Sequence, residues 1–239
     1  MSAYGAIERN NATILPSTAW RDKNQTLVTI HHLSLSTAKL LPGLIDYLGE
    51  VFAKEVEDGR TYPQEGPIDL DSFQKYFFAA DVLVAIKGTH SDGFEDAAEV
   101  QIGIEEARNG RTWQECVSGY YYVKPNYPGR SSHICNGGFV VPPNHRGGGY
   151  GSLLARSYLH YAPKLGYRAS VFNLVYVNNT ASVKLWERLG FTKAGRIPHA
   201  GRLRTADGKG EEYVDAWVIY KSFVDDGGSV NDRDSAVAE

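Results

Sequence analysis

The chain has 239 residues, 42% of them hydrophobic and 22% charged, with a net charge of −3. The length is within reach of one α/β domain with insertions or of two small ones, the composition is that of an ordinary globular protein, and the chain lacks the strong positive balance of a nucleic-acid surface. No apolar run approaches the roughly 20 residues of a membrane-spanning helix, and two cysteines, Cys116 and Cys135, are too few for a disulfide framework.

Residues 1–19 read as a loose, polar leader with neither a basic nor an apolar secretory segment, which points to a cytoplasmic protein and leaves a mitochondrial pool open. Thr26–Leu33 is β-branched and roughly alternating, so it predicts a strand. A helix follows from about Leu41 to Phe52, with Pro42 in its first turn. Gly59–Gly66 is a loop carrying Tyr62, Asp71–Phe78 a short helix, and Asp81–Ile86 a buried strand. His90–Trp113 reads as a polar surface excursion, and Glu115–Val123 and Ile134–Val141 as strands. A helix then runs from Tyr150 to about Pro163–Gly166. Ala169–Val177 is nearly continuous in apolar residues, as expected of a strand buried on both faces, and Thr180–Leu189 is helical. Strands near Thr192–Ile197 and Tyr213–Tyr220 complete the sheet, and residues 225–239 read as a disordered tail. The seven histidines show no zinc spacing, so no metal is expected.

The richest stretch is Val140–Ser152. An apolar strand stops at Pro142 and Pro143, passes through Arg146-Gly147-Gly148-Gly149-Tyr150-Gly151-Ser152 and opens a helix. Such a turn leaves several backbone N–H groups at the positive end of the helix dipole, a site suited to phosphate or pyrophosphate, although a flexible connector would look the same. The lysine of a nucleotide-hydrolysing P-loop is absent. So is the acidic residue of a dinucleotide fold, since Ala162–Val177 contains no carboxylate. Beyond the next strand comes Asn179-Thr180-Ala181-Ser182, opening a short helix that ends in Leu189-Gly190-Phe191.

Arg-x-x-Gly-x-Gly between strand and helix, followed by this second motif, resembles the GCN5-related N-acetyltransferases. Thr61–Gln64, Tyr122–Tyr127, Cys135–Phe139, Phe172–Val175 and Pro198–Gly201 look like the fungal L-azetidine-2-carboxylate acetyltransferases, which detoxify proline analogues by acetylating the ring nitrogen. The similarity is dense from about Tyr122 to Gly201 and thinner from about Leu40 to Val84.

The resemblance implies a single α/β (α+β type) domain over residues 20–224, with its cofactor half at about 115–224. Its central sheet would be mixed, mostly antiparallel, and splayed to admit acetyl-CoA. It implies that Phe139, Val140 and Val141 pair with the pantetheine arm, that Arg146 and Gly147, Gly148, Gly149, Tyr150, Gly151 and Ser152 hold the pyrophosphate, and that Asn179 serves the cofactor and catalysis. Asn136, Asn173 and Tyr62 would bind the acceptor, with Asn173 also catalytic. It implies a homodimer, direct attack in a ternary complex, and no nucleic-acid or membrane partner.

Several alternatives stay open. Asn179 could simply cap its helix, and Arg146 could face solvent. Asn173, in the middle of an apolar strand, must find partners, structural or ligand, because a buried unpaired amide costs a few kcal/mol. The usual thiolate acid is a tyrosine five residues before the Gly-Phe phenylalanine; here that position is Trp186, a poor acid, with Tyr176 as a possible substitute. The base is unassigned among a held water, His133 and Glu115. The acceptor could also be another amine, and a silent acyl-CoA sensor would need no acid at all.

Overall fold

The computed structural model describes residues 13–88 and 95–224. Nine strands form one sheet: β1 (Ser17–Arg21), β2 (Leu27–Leu33), β3 (Asp81–Lys87), β4 (Ala98–Val100), β5 (Val117–Pro125), β6 (Ile134–Val140), β7 (Ala169–Tyr176), β8 (Thr192–Arg204) and β9 (Glu211–Ser222). The helices are α1 (Leu35–Ala38), α2 (Leu44–Asp58), α3 (Leu70–Phe77), α4 (Ile104–Arg108), α5 (Trp113–Cys116), α6 (Tyr150–Lys164) and α7 (Thr180–Arg188). The strand order is β4-β1-β2-β3-β5-β6-β7-β9-β8. Each neighbouring pair is antiparallel except β6 and β7, which run parallel. The expected single α/β fold with a mostly antiparallel sheet is what forms.

Two cores lie on opposite faces of the sheet. On one, α2 presents Leu44, Leu48, Val51, Phe52 and Val56 at helical spacing and meets Phe73 and Phe77 of α3 against Tyr120 and Tyr122 of β5. On the other, Leu153, Leu154, Tyr158 and Tyr161 of α6 cover Tyr121 and Val123 of β5, together with Phe172 and Trp186. Strand alternation on β5 therefore feeds both cores. Local chemistry sets the helix ends. The Asp69 carboxylate accepts from the Ser72 N–H to start α3, and Gly59, at positive φ, ends α2 in the left-handed conformation.

Several sequence expectations give way. Ser17–Arg21, partly inside the stretch read as leader, pairs with β2 and β4, and Leu15 packs on the core. Residues 1–12, and the tail 225–239, lie outside the described residues, as does part of the His90–Trp113 excursion. The rest of that excursion folds into β4, α4 and the start of α5. Glu115 is helical rather than in a strand: its carboxylate closes a capping box on Thr112, and β5 begins at Val117. Pro42 precedes α2 instead of entering its first turn, and its carbonyl accepts from the Trp113 indole N–H at 2.9 Å. β8 continues to Arg204, well past Ile197.

Candidate functional site

Strands β6 and β7 pair only where Ile134 meets Ala169 and Cys135 meets Ser170. Beyond that point they part, leaving a gap between the middle of β6 and the middle of β7. Asn136 is the first β6 residue past the last pair, and Asn173 lies further along β7 than Ser170. β7 carries a register shift between Phe172 and Val175, which turns Asn173 out of the apolar pattern. Asn173 is exposed, so the strand is not buried on both faces and the expected burial of this amide does not hold.

A third asparagine joins the two. Asn126, buried just after β5, takes both side chains on its Oδ1: Asn136 Nδ2 donates at 2.6 Å and Asn173 Nδ2 at 2.7 Å. Asn126 Nδ2 donates back to Asn173 Oδ1 at 3.2 Å, and its backbone N–H is tied to the Ile134 carbonyl at 2.8 Å. The remaining oxygen, Asn136 Oδ1, is buried without a partner. A buried acceptor left open costs about 1–3 kcal/mol, which a ligand N–H would recover.

Tyr62 is buried against the ring of Phe52, and its hydroxyl donates to the Phe139 carbonyl at 3.1 Å. Since the N–H and C=O of one strand residue point the same way, Phe139 presents its peptide groups away from β5. Burial, with the neighbouring Tyr76 and Glu55, pushes the Tyr62 phenol well up, so it stays a donor. Next to it, the Tyr76 and Tyr122 hydroxyls are 3.0 Å apart, and Lys124 Nζ sits 3.9 Å and 4.1 Å from their ring centroids. Lys124 is directly opposite Asn136 in the β5–β6 register.

At the far end of β6, Val141 and the turn Pro143–His145 lead into the glycine loop. Gly147 and Gly149 both take positive φ, conformations open to glycine at little cost, and no side chain caps α6. The Ser152 N–H is bonded back to the Gly149 carbonyl at 3.1 Å, so the N–H groups of Tyr150 and Gly151 are the ones left for an anionic ligand. Arg146 is already engaged: it pairs with Glu55, and its Nε donates to the Val141 carbonyl at 3.2 Å. A depression of about 770 Å³ beside the loop is lined by Lys23, Gly149, Ser152 and Arg156 among others.

Asn179 caps α7, its Oδ1 accepting from the Ser182 N–H at 3.1 Å. Trp186 is core, 4.5 Å from Phe172 and 5.1 Å from Phe139 by ring centroid. The two base candidates sit away from the cleft: Glu115 closes its capping box, and the exposed His133 contacts the Arg130 carbonyl. Tyr176 has a buried, unpartnered hydroxyl against Gly201, where β8 bulges between Ile197 and Gly201 and His199 adopts a positive φ. Cys135 points to the α6 core, with Sγ 3.1 Å from the Tyr158 hydroxyl, and burial pushes its thiol up to about 12, so it offers no nucleophile. Among the described residues no group of three or more His, Cys, Asp or Glu side chains could hold a metal.

The splayed parallel pair and the uncapped glycine loop fit a thioester cofactor held in extended form. Comparison with known proteins decides the family, since residues 72–191, half of the chain, match the acetyltransferase (GNAT) family model. The chain belongs to that family. It is an acetyl-CoA-dependent N-acetyltransferase. N-acetyltransferase aca1 of Schizosaccharomyces pombe is 41% identical over 170 residues, covering 71% of this chain and 75% of that protein. Protein SPT10 of Saccharomyces cerevisiae is 28% identical over 232 residues, but the match covers only 36% of it. Among solved structures, a GCN5-related N-acetyltransferase from Kribbella flavida superposes with TM-score 0.57 at 25% identity, covering 81% of this chain and 97% of that one. A Salmonella typhimurium acetyltransferase, yncA, solved with acetyl-CoA, gives TM-score 0.58 at 18% identity, covering 83% and 96%.

Sequence reasoning missed Asn126, Lys124, Tyr76 and Tyr122 as site residues. The alternation Tyr120-x-Tyr122-x-Lys124 carries a signal: it puts a lysine on the face of a buried strand that otherwise bears aromatic rings.

Proposed function

We propose that this enzyme acetylates the ring nitrogen of a small cyclic secondary amino acid, of the class of L-azetidine-2-carboxylate and cis-4-hydroxyproline, and so detoxifies proline analogues. The observation that carries this reading is the Asn126–Asn136–Asn173 network at the point where β6 and β7 part, with Asn136 Oδ1 left open. The amide N–H groups of Asn136 and Asn173 not used on Asn126 donate to the acceptor, and Asn136 Oδ1 receives its N–H. Tyr62 holds the Phe139 peptide, which leaves the Phe139 and Val141 N–H groups to orient the cofactor arm while the Gly147–Ser152 backbone anchors its pyrophosphate. Bound acetyl-CoA supplies the activated acetyl group. Asn179 spends its Oδ1 on Ser182, so its Nδ2 is the part that reaches the cofactor. With both cysteines buried, attack by the amine is direct.

Thiol release from acetyl-CoA is the test, with L-azetidine-2-carboxylate, cis-4-hydroxy-L-proline, L-proline and a short peptide as acceptors. Release with the proline analogues, reduced about 10- to 100-fold in kcat/KM by Asn136→Ala or Asn173→Ala, is expected from the loss of hydrogen bonds to charged groups. Release with the peptide alone would sink the reading. The same reading carries a homodimer, which light scattering would register as about twice the 26.4 kDa chain mass.

A further inference from the structure

Lys124 is unusual in where its charge is kept. Its side chain runs between the faces of Tyr76 and Tyr122, whose hydroxyls bond each other at 3.0 Å, and Nζ donates to the Tyr76 carbonyl at 3.0 Å. No carboxylate among the described residues pairs with it. Glu55, which acts on the neighbouring Tyr62, is held by Arg146 and Thr61. The phenols around it, Tyr62, Tyr76 and Tyr122, are held protonated by burial and lend no negative charge. Aromatic faces compensate an ammonium in part, yet a half-buried cation with N–H groups left over still gains from an anion. Across the β5–β6 pair it faces Asn136, whose amide belongs to the network at the cleft.

We propose that Lys124 is the counter-charge for the carboxylate of the acceptor, so that the site selects amino acids and rejects polyamines and other amines lacking a carboxylate. The inference rests on the reading that the acceptor binds at Asn136 and Asn173. The arrangement has two poles. Lys124 Nζ and the amide N–H groups face the carboxylate, and the open Asn136 Oδ1 faces the amine. A polyamine would bring a second cation against Lys124 and find no anion there, which is discrimination by repulsion as much as by attraction.

The test compares kcat/KM for L-azetidine-2-carboxylate and for its uncharged carboxamide, with wild type, Lys124→Met and Lys124→Arg. Wild type should favour the carboxylate by about 100-fold, as a charge-assisted pair implies; Lys124→Met should cut that ratio about 10-fold or more, the asparagine amides still donating to the carboxylate, and Lys124→Arg should keep most of it. An unchanged ratio in Lys124→Met, including an equal loss on both acceptors, overturns the proposal and leaves the lysine a packing residue. Circular dichroism and acetyl-CoA affinity establish that each variant is folded, and Lys124→Arg keeps the test alive if the methionine variant is not. If wild type ignores azetidine-2-carboxylate but acetylates another amino acid, the substrate reading fails, and the same ratio, measured with that amino acid and its amide, judges Lys124 separately.

Discussion

Trp186 stands where many relatives of the resembled family carry a tyrosine acid, and its surroundings explain what it does instead. It is 5% exposed, and its ring lies 4.5 Å from Phe172, 5.0 Å from Phe191 and 5.1 Å from Phe139. Phe172 and Phe139 belong to the two strands that part at the cleft, so the indole is the wedge that packs their far side. Trp186→Ala should cost about 3–5 kcal/mol in denaturant unfolding, the usual range for emptying a buried aromatic site. Trp186→Tyr should lower stability less and should not raise kcat, because the new hydroxyl would lie in that aromatic core. A faster Trp186→Tyr enzyme would show that the thiolate does await an acid. Gly201 poses the opposite steric problem: a Cβ there would stand 2.5 Å from Tyr176 Cε1. Gly201→Ala should therefore destabilise by about 1–3 kcal/mol, the typical cost of overpacking, and displace Tyr176.

At the scale of elements, the cleft exists because β6 and β7 stop pairing after Cys135, and in the proposed reading the helices that follow each strand supply its chemistry. α6 contributes an uncapped N-terminus, and α7 contributes Asn179. The cap and the proposed cofactor role of Asn179 separate experimentally. Serine caps nearly as well as asparagine but has no amide to donate. Asn179→Ser should then keep the melting temperature nearly unchanged while kcat falls. Asn179→Ala should lose both, with about 1 kcal/mol of stability. Preserved kcat in the serine variant would make Asn179 a cap and nothing more. The β6–α6–β7–α7 series was legible in the sequence because each element is long, periodic and bounded by Pro, Gly or Asn. β1, β4, α4 and α5 were not, being short and fixed by long-range partners such as Ser17 with Val100 and Trp113 with Pro42. Asn136 and Asn173 were legible as polar residues in apolar strands. Asn126, which joins them, stands beyond a strand end, where an asparagine looks like any turn residue.

Across the whole molecule, one sheet divides two cores, and two buried ionisable groups on it, both lowered by burial, make the fold more stable as pH rises. His31 bonds Ser17 Oγ at 2.9 Å and Thr29 Oγ1 at 2.7 Å, and burial lowers it from 6.5 to about 4. The unfolded chain binds its proton first, so the stability His31 contributes is complete above pH 6.5 and is lost as pH falls through 4. Lys124 is lowered by burial from 10.5 to about 8. Below pH 8 both folded and unfolded chains carry its charge, and the fold bears the full desolvation cost. Between pH 8 and 10.5 the unfolded chain holds the extra proton, and native stability rises with pH on this account. Lys124→Met should thus melt a few degrees higher than wild type at neutral pH, with the gain shrinking steadily as the pH is raised toward the unfolded-state value, as followed by thermal unfolding at several pH values. That trade fits a residue kept for binding rather than for the fold, since a structural lysine held by its two rings would destabilise when removed. A methionine variant that melts lower than wild type at neutral pH would show that the two rings and the Tyr76 carbonyl more than offset the desolvation of the ammonium, and the carboxylate preference alone would then judge the binding role.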